Sequence, residues 1–197
     1  MRIPSDDEIR TLHARHAPSR EAFDLVYTHC RIVCRIAEQL LDGHSRLDAE
    51  LVRAGCLLHD IGVYRLYDGA GELDHARYVR HGVLGDELLG EEGFGGELRR
   101  FCSHHVGVGI SGDDVGRERL PIPVADYLAD SGEERLVMYA DKFHTKSSPP
   151  TFLTADSYAA RVGRFGPGKA AAFAALRAEF GEPDLASLVE EYDHTLR

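Results

Sequence analysis

Apolar positions recur at helical spacing along most of the chain. Phe23, Val26, Cys30, Val33, Ala37 and Leu40-Leu41 fall on one face of a segment that Ser19 can cap and Asp42-Gly43 breaks. Leu51, Ala54, Leu57 and Leu58 form a second such face, capped by Asp48 and ending at Gly62. A glycine-rich loop over 68–73 follows, then helical patterns over about 78–89 and 97–105, and then a turn region, VGVGISGDD. Residues 121–131, PIPVADYLADS, read as a loop leading into a helix over 132–144. Ser147-Ser148-Pro149-Pro150 punctuates the chain ahead of an alanine-rich helix over 168–180 and a short one after Pro183. Alternation of strand type is not convincing anywhere, and no repeat is visible. The pattern predicts an all-α chain forming one domain over 1–197, with a core over about 20–146 and a C-terminal helical extension over about 150–197.

Charge and composition narrow the function classes. At 197 residues the chain can bury a substantial core without disulfides as props. Its net charge of −10 argues against a nucleic-acid surface, which needs clustered Lys and Arg. A phosphorylated substrate stays open, because metal ions can supply positive charge locally. The longest apolar run, Ala170 to Leu176, falls far short of the roughly 20 residues a spanning helix needs. The start, MRIPSDDEIR, offers no apolar signal segment, so the expectation is a cytoplasmic protein with no membrane partner. The four cysteines contain no CxxC and read as buried, reduced thiols.

Eleven histidines are the unusual feature. His13, His16, His44 and His194 lie in polar or terminal contexts and read as solvated; His144, beside the Ser-Pro loop, is ambiguous. His29 sits next to the apolar face of the first long helix, and His59-Asp60 ends the second. His81 precedes Gly82 and Gly85, small residues that let another backbone approach closely. His104-His105 ends a short helix before Gly107, and Asp141 lies where ERLVMYADKFHTK turns apolar. Several helices thus each place a His or Asp at an inward or end position. Burying such a set without a cation is costly, whereas a divalent ion satisfies it; imidazole with carboxylate and no thiolate suits iron, manganese, zinc, cobalt or nickel.

The order His29, His59-Asp60, Asp141 resembles the HD-domain metal-dependent phosphohydrolase superfamily, and His59-Asp60-Ile61-Gly62 matches its HDIG variant. The resemblance covers roughly residues 20–146 and implies a helical bundle of HD type. His81, with His105 or His104, occupies the places that members with a dinuclear site add. The resemblance therefore implies two metal ions, iron first, with His29, His59 and Asp141 on one, His81 and His105 (or His104) on the other, and Asp60 bridging. The tail, FGPGKAAAF…FGEPDL, is similar to an uncharacterised branch of small HDIG proteins. Val63 stands where many HDIG enzymes carry a phosphate-reaching Lys, leaving Arg65 or Lys142 as candidates for that role. The acidic pair of stringent-response hydrolases and the GYP signature of cyclic di-nucleotide phosphodiesterases are both absent, which sets those two assignments aside.

What this implies is a hydrolase of a phosphomonoester, phosphodiester or phosphoanhydride in a small, nucleotide-like substrate, using metal-activated water with Asp60 and His59 at its centre. The alternatives are a mixed-valent diiron oxygenase on the same ligand set, acting on a phosphonate or polyol, a mononuclear nucleotidase, and a non-catalytic metal or nucleotide module.

Overall fold

A computed structural model describes residues 2–197. Ten α-helices appear among the described residues: α1 (Asp6–His16), α2 (Arg20–Leu40), α3 (Ala49–Leu58), α4 (His81–Glu91), α5 (Gly96–Ser103), α6 (Gly112–Glu118), α7 (Gly132–Ala140), α8 (Ala155–Val162), α9 (Pro167–Phe180) and α10 (Ala186–Tyr192). The all-α expectation holds, with one small addition. Strands β1 (His144–Thr145), β2 (Thr151–Phe152) and β3 (Thr195–Leu196) form a sheet in that order. β1 and β2 pair antiparallel, β2 and β3 parallel. Two-residue strands are too short to leave an alternating pattern in a sequence.

The centre of the molecule is α2. Ser19 Oγ accepts from the Ala22 amide at 3.1 Å and starts the helix, and its inner face buries Val26, Cys30, Ile32, Val33, Ile36 and Ala37. α3 and α7 pack beside it with Leu57, Leu58, Leu136 and Val137, and Phe173, Leu176 and Phe180 of α9 join the same core. The C-terminal helices therefore share one apolar interior with the rest of the chain. All four cysteines are free and buried in it, as their context implies. No helix among the described residues is long and apolar enough to cross a membrane.

Several boundaries differ from the sequence reading. The second helix ends at Leu58, not Gly62, and a tight 3₁₀ segment, Ile61–Leu66, carries the chain onward. The helix expected over 132–144 stops at Ala140; Asp141–Phe143 is a 3₁₀ turn and His144 is already in β1. α1, α6 and α8 were not anticipated. Each is short, yet each opens on a side-chain cap: Ser5 with Glu8, Ser111 with Asp114, and Thr154 accepting from the Ser157 amide.

Candidate metal centre

Four helix ends and the middle of a fifth helix converge on one buried point. His29 is at mid-helix on α2; His59 and Asp60 follow α3; His81 opens α4; His105 follows α5; Asp141 follows α7. All but Asp141 are at most 5 % exposed, and the Asp141 side chain is 15 % exposed. Their donor atoms fall into two groups that share Asp60: His29, His59, Asp60 and Asp141, and Asp60, His81 and His105. In the first, His29 Nε2 lies 3.3 Å from His59 Nε2, 3.2 Å from Asp60 Oδ2 and 3.0 Å from Asp141 Oδ1. In the second, His81 Nε2 lies 3.0 Å from His105 Nε2 and 3.3 Å from Asp60 Oδ1.

The local fold presents these nitrogens in one orientation. His59 Nδ1 donates to the Cys56 carbonyl at 2.7 Å, His81 Nδ1 to the Tyr78 carbonyl at 2.6 Å, and His105 Nδ1 to the Cys102 carbonyl at 2.7 Å. A carbonyl only accepts, so Nδ1 carries the hydrogen, and in the neutral ring Nε2 turns a lone pair toward the centre. Lone pairs facing each other at 3.0 Å are unfavourable unless a cation lies between them. Asp60 Oδ1 is buried without any hydrogen-bond partner, which for an acceptor costs about 1–3 kcal/mol, more when it is charged. Imidazole nitrogens and carboxylate oxygens set this close together fit a divalent metal site.

Electrostatics follow from burial and crowding. For Asp60, burial works against the charge, but Lys146 and His59 outweigh it and hold the carboxyl well below the usual range. Asp141 is likewise lowered against its own burial, chiefly by Lys142 with His29 and His59. Burial lowers His81 to about 3 despite the pull of Asp60. His59 is pushed up, because Asp60, with smaller contributions from Cys30 and Asp141, overcomes its desolvation.

Not every candidate joins the centre. The sequence left His104 and His105 as alternatives; the cluster contains His105, while His104 turns away, accepting at Nε2 from Arg100 Nη1 at 3.0 Å and meeting Ser103 Oγ at 2.8 Å. Arg65, a candidate for substrate contact in the sequence, pairs with Glu91 at 3.0 Å and does not line the cavity beside the cluster. Lys142 does line that cavity, but its ammonium is buried between the His105 carbonyl at 2.9 Å and Asp141 Oδ2 at 2.7 Å, where it ties together the two turns that carry His105 and Asp141.

Other residues escaped the sequence reading. Lys146, in the loop after β1, places its buried ammonium on Asp60 Oδ2, and its pKa is raised because Asp60 more than offsets desolvation. His144 bonds His29 Nδ1 at 2.9 Å, and its own Nε2 meets His194 Nδ1 at 3.0 Å, giving a chain of three imidazoles from the centre toward the surface. His13, read as solvated, is fully buried between the Tyr64 hydroxyl and the Leu57 carbonyl, and His194 is half-buried. Local polarity misled in both cases, since the partners lie far away in sequence. Only the HTK a few residues after Asp141, with a His and a Lys close to a clustered carboxylate, hinted at this neighbourhood.

Gly62 also takes a different role from a turn-maker. Its backbone is not left-handed; a Cβ there would lie 2.1 Å from the His81 carbonyl oxygen and 2.2 Å from the Gly85 amide nitrogen. The glycine lets α4 dock directly on the turn after His59-Asp60, which brings His81 to Asp60.

Comparison with known proteins gives a consistent placement. An uncharacterised protein of Methanocaldococcus jannaschii is 36% identical over 127 residues, covering 61% of this chain and 68% of that protein. A tRNA (cytidine(56)-2'-O)-methyltransferase of Picrophilus torridus is 31% identical over 139 residues, covering 71% of this chain. The match spans only 36% of that relative, so its named activity is not carried over. Among solved structures, the HD domain of the L. monocytogenes phosphodiesterase PgpH is similar with a TM-score of 0.56 at 19% identity, covering 93% of this chain and 98% of that one. The same domain in complex with cyclic-di-AMP also gives 0.56, at 18% identity and with 96% and 99% covered. At those identities the likeness is one of fold. A family model for the HD domain matches residues 26–146, the span that carries all six clustered residues, and the chain belongs to the HD domain family.

Proposed function

We propose that this protein is a metal-dependent phosphohydrolase acting on a phosphate ester or anhydride of a small, nucleotide-like molecule. The observation that carries the reading is Asp60, whose carboxylate faces both groups of imidazoles and keeps one buried oxygen without a partner. His29, His59 and Asp141 would hold one ion, His81 and His105 a second, with Asp60 shared. When bound, such ions supply an activated water and charge neutralisation for a phosphoryl group. The protein's own part is to fix this arrangement and to present cations. The Nδ1–carbonyl bonds set the rings, Lys142 locks the turns, and Lys146 brings an ammonium to the edge where cluster and cavity meet. We assign Lys146 the phosphate-orienting role that Val63 leaves vacant, in place of Arg65. The cavity has a volume of about 730 Å³, within the range that suits a molecule of nucleotide size.

The test is metal analysis of protein purified without chelator, followed by a screen across p-nitrophenyl phosphate, nucleotides and dinucleotides. Asp60→Ala should lose both bound metal and turnover; an active, metal-replete variant would sink the assignment. Wild-type protein inert to every phosphoester but consuming oxygen with a phosphonate or polyol would replace hydrolysis by oxygenation.

A further inference from the structure

We infer that the cavity beside the cluster contains a second anion subsite, formed by Arg161 and Arg197, and that the substrate is therefore a small molecule carrying two anionic groups. The inference rests on the phosphohydrolase reading for the first group and adds where the second is held.

Four Lys and Arg side chains line this cavity: Lys142, Lys146, Arg161 and Arg197. The two lysines are already matched, to Asp141 and Asp60. The two arginines are not: neither has a carboxylate within ion-pair distance among the described residues, which is also true of Arg10, Arg31, Arg46, Arg80, Arg119 and Arg164, but of these eight only Arg161 and Arg197 line the cavity. The chain has 33 acidic against 23 Lys and Arg residues, so acidic partners are plentiful elsewhere. Yet the one Asp or Glu lining the cavity is Asp141, which belongs to the cluster. A concave pocket lined by more basic than acidic side chains, in an acidic protein, favours anions at that point.

Both arginine residues are exposed, but the backbones that carry them are fixed. Arg161 lies on the last turn of α8. Arg197 is held at its backbone, donating its amide to the Phe152 carbonyl at 2.9 Å and accepting from the Thr154 amide at 2.8 Å. Guanidinium groups bind phosphate or carboxylate through paired hydrogen bonds, with a directionality a lysine lacks. The cavity is much larger than one phosphoryl group, and both arginines lie beyond residues 26–146, so this wall is supplied by the C-terminal segment and not by the family core.

The experiment is equilibrium binding by calorimetry to the full chain carrying its purified metal. Two probes are used: inorganic phosphate, with one anionic group, and the α,β-methylene analogue of ADP, with two. The Arg161→Ala/Arg197→Ala double variant should bind the methylene analogue at least tenfold more weakly and phosphate unchanged. Arg161→Lys should lose less than Arg161→Ala. Equal weakening of both probes, or of neither, overturns the subsite. Wild-type protein that turns over no phosphoester but keeps the differential loss would leave the subsite standing and remove the hydrolase reading.

Discussion

Replacing Gly62 by alanine should separate the two halves of the metal centre. The added Cβ would sit 2.1 Å from the His81 carbonyl oxygen, whereas ordinary van der Waals contact begins at 3.4 Å, so the start of α4 must withdraw by more than 1 Å. The obstacle is backbone on both sides, and no rotamer change relieves it. His81 is the first residue of α4 and moves with it, away from Asp60 Oδ1, now 3.3 Å distant. Metal–ligand distances hold to within about 0.2 Å, so if the proposed two-ion arrangement is right, the half made by Asp60, His81 and His105 should lose its ion. His29, His59 and Asp141 lie on other elements and should keep theirs. Overpacking of this kind costs typically about 1–3 kcal/mol, and in a chain of this size each kcal/mol lowers Tm by about 2–4 °C. Mass-spectrometric metal content per chain and scanning calorimetry read both effects. Gly116→Ala, on helix α6 where the Cβ meets nothing within 4 Å, is the control: metal content should stay unchanged and Tm should hold or rise slightly, because Ala favours a helix over Gly. A Gly62→Ala protein with full metal content and unaltered Tm would refute the steric argument.

Three further outcomes are expected. His13 is held neutral by burial, its pKa lowered from 6.5 to about 4 despite the Leu57 carbonyl. The unfolded chain therefore binds the proton first, and stability should fall as pH drops from 6.5 to about 4, by up to roughly 3 kcal/mol, and level off below that. In denaturant titrations across this range His13→Phe should flatten part of the slope, and an identical slope would show that another group sets it. His144→Phe removes the partner of His29 Nδ1 while keeping an aromatic ring, and should weaken metal binding about 10–100-fold in competition with a chromophoric chelator; unchanged affinity would make the imidazole chain ornamental. Lys146→Met should leave metal content intact and raise KM for a phosphoester about tenfold or more, while loss of metal in that variant would instead show that the ammonium supports the ligand set.

The long amphipathic faces of α2 and α3 and the clustering of the inward His and Asp residues were legible from local pattern: burial at helical spacing for the first, His and Asp at inward or end positions of helices for the second. α1, α6 and α8 were missed because one to three turns offer too few apolar positions for a period, although Ser5-x-x-Glu8 and Ser111-x-x-Asp114 were there to be read as caps. His13, His144 and Lys146 could not be placed in this way. Each is polar in a polar stretch, and its burial comes from partners 44 to 115 residues distant: Leu57 and Tyr64 for His13, His29 for His144, Asp60 for Lys146. Gly62 shows the same limit from the other side. The motif signalled that a glycine is required, but only the approach of α4 shows what it makes room for.

The parallel pairing of β2 with β3 bears on how the site comes into being. Every clustered residue has been made by the time the chain reaches Asp141, but Thr151 finds Thr195 only near the far end of the sequence. His194 and Arg197, which finish the imidazole chain and the cavity wall, flank the strand that pairs with β2. The cavity wall is therefore complete only when the small sheet is closed, because Arg197, which clasps β2, also borders the pocket.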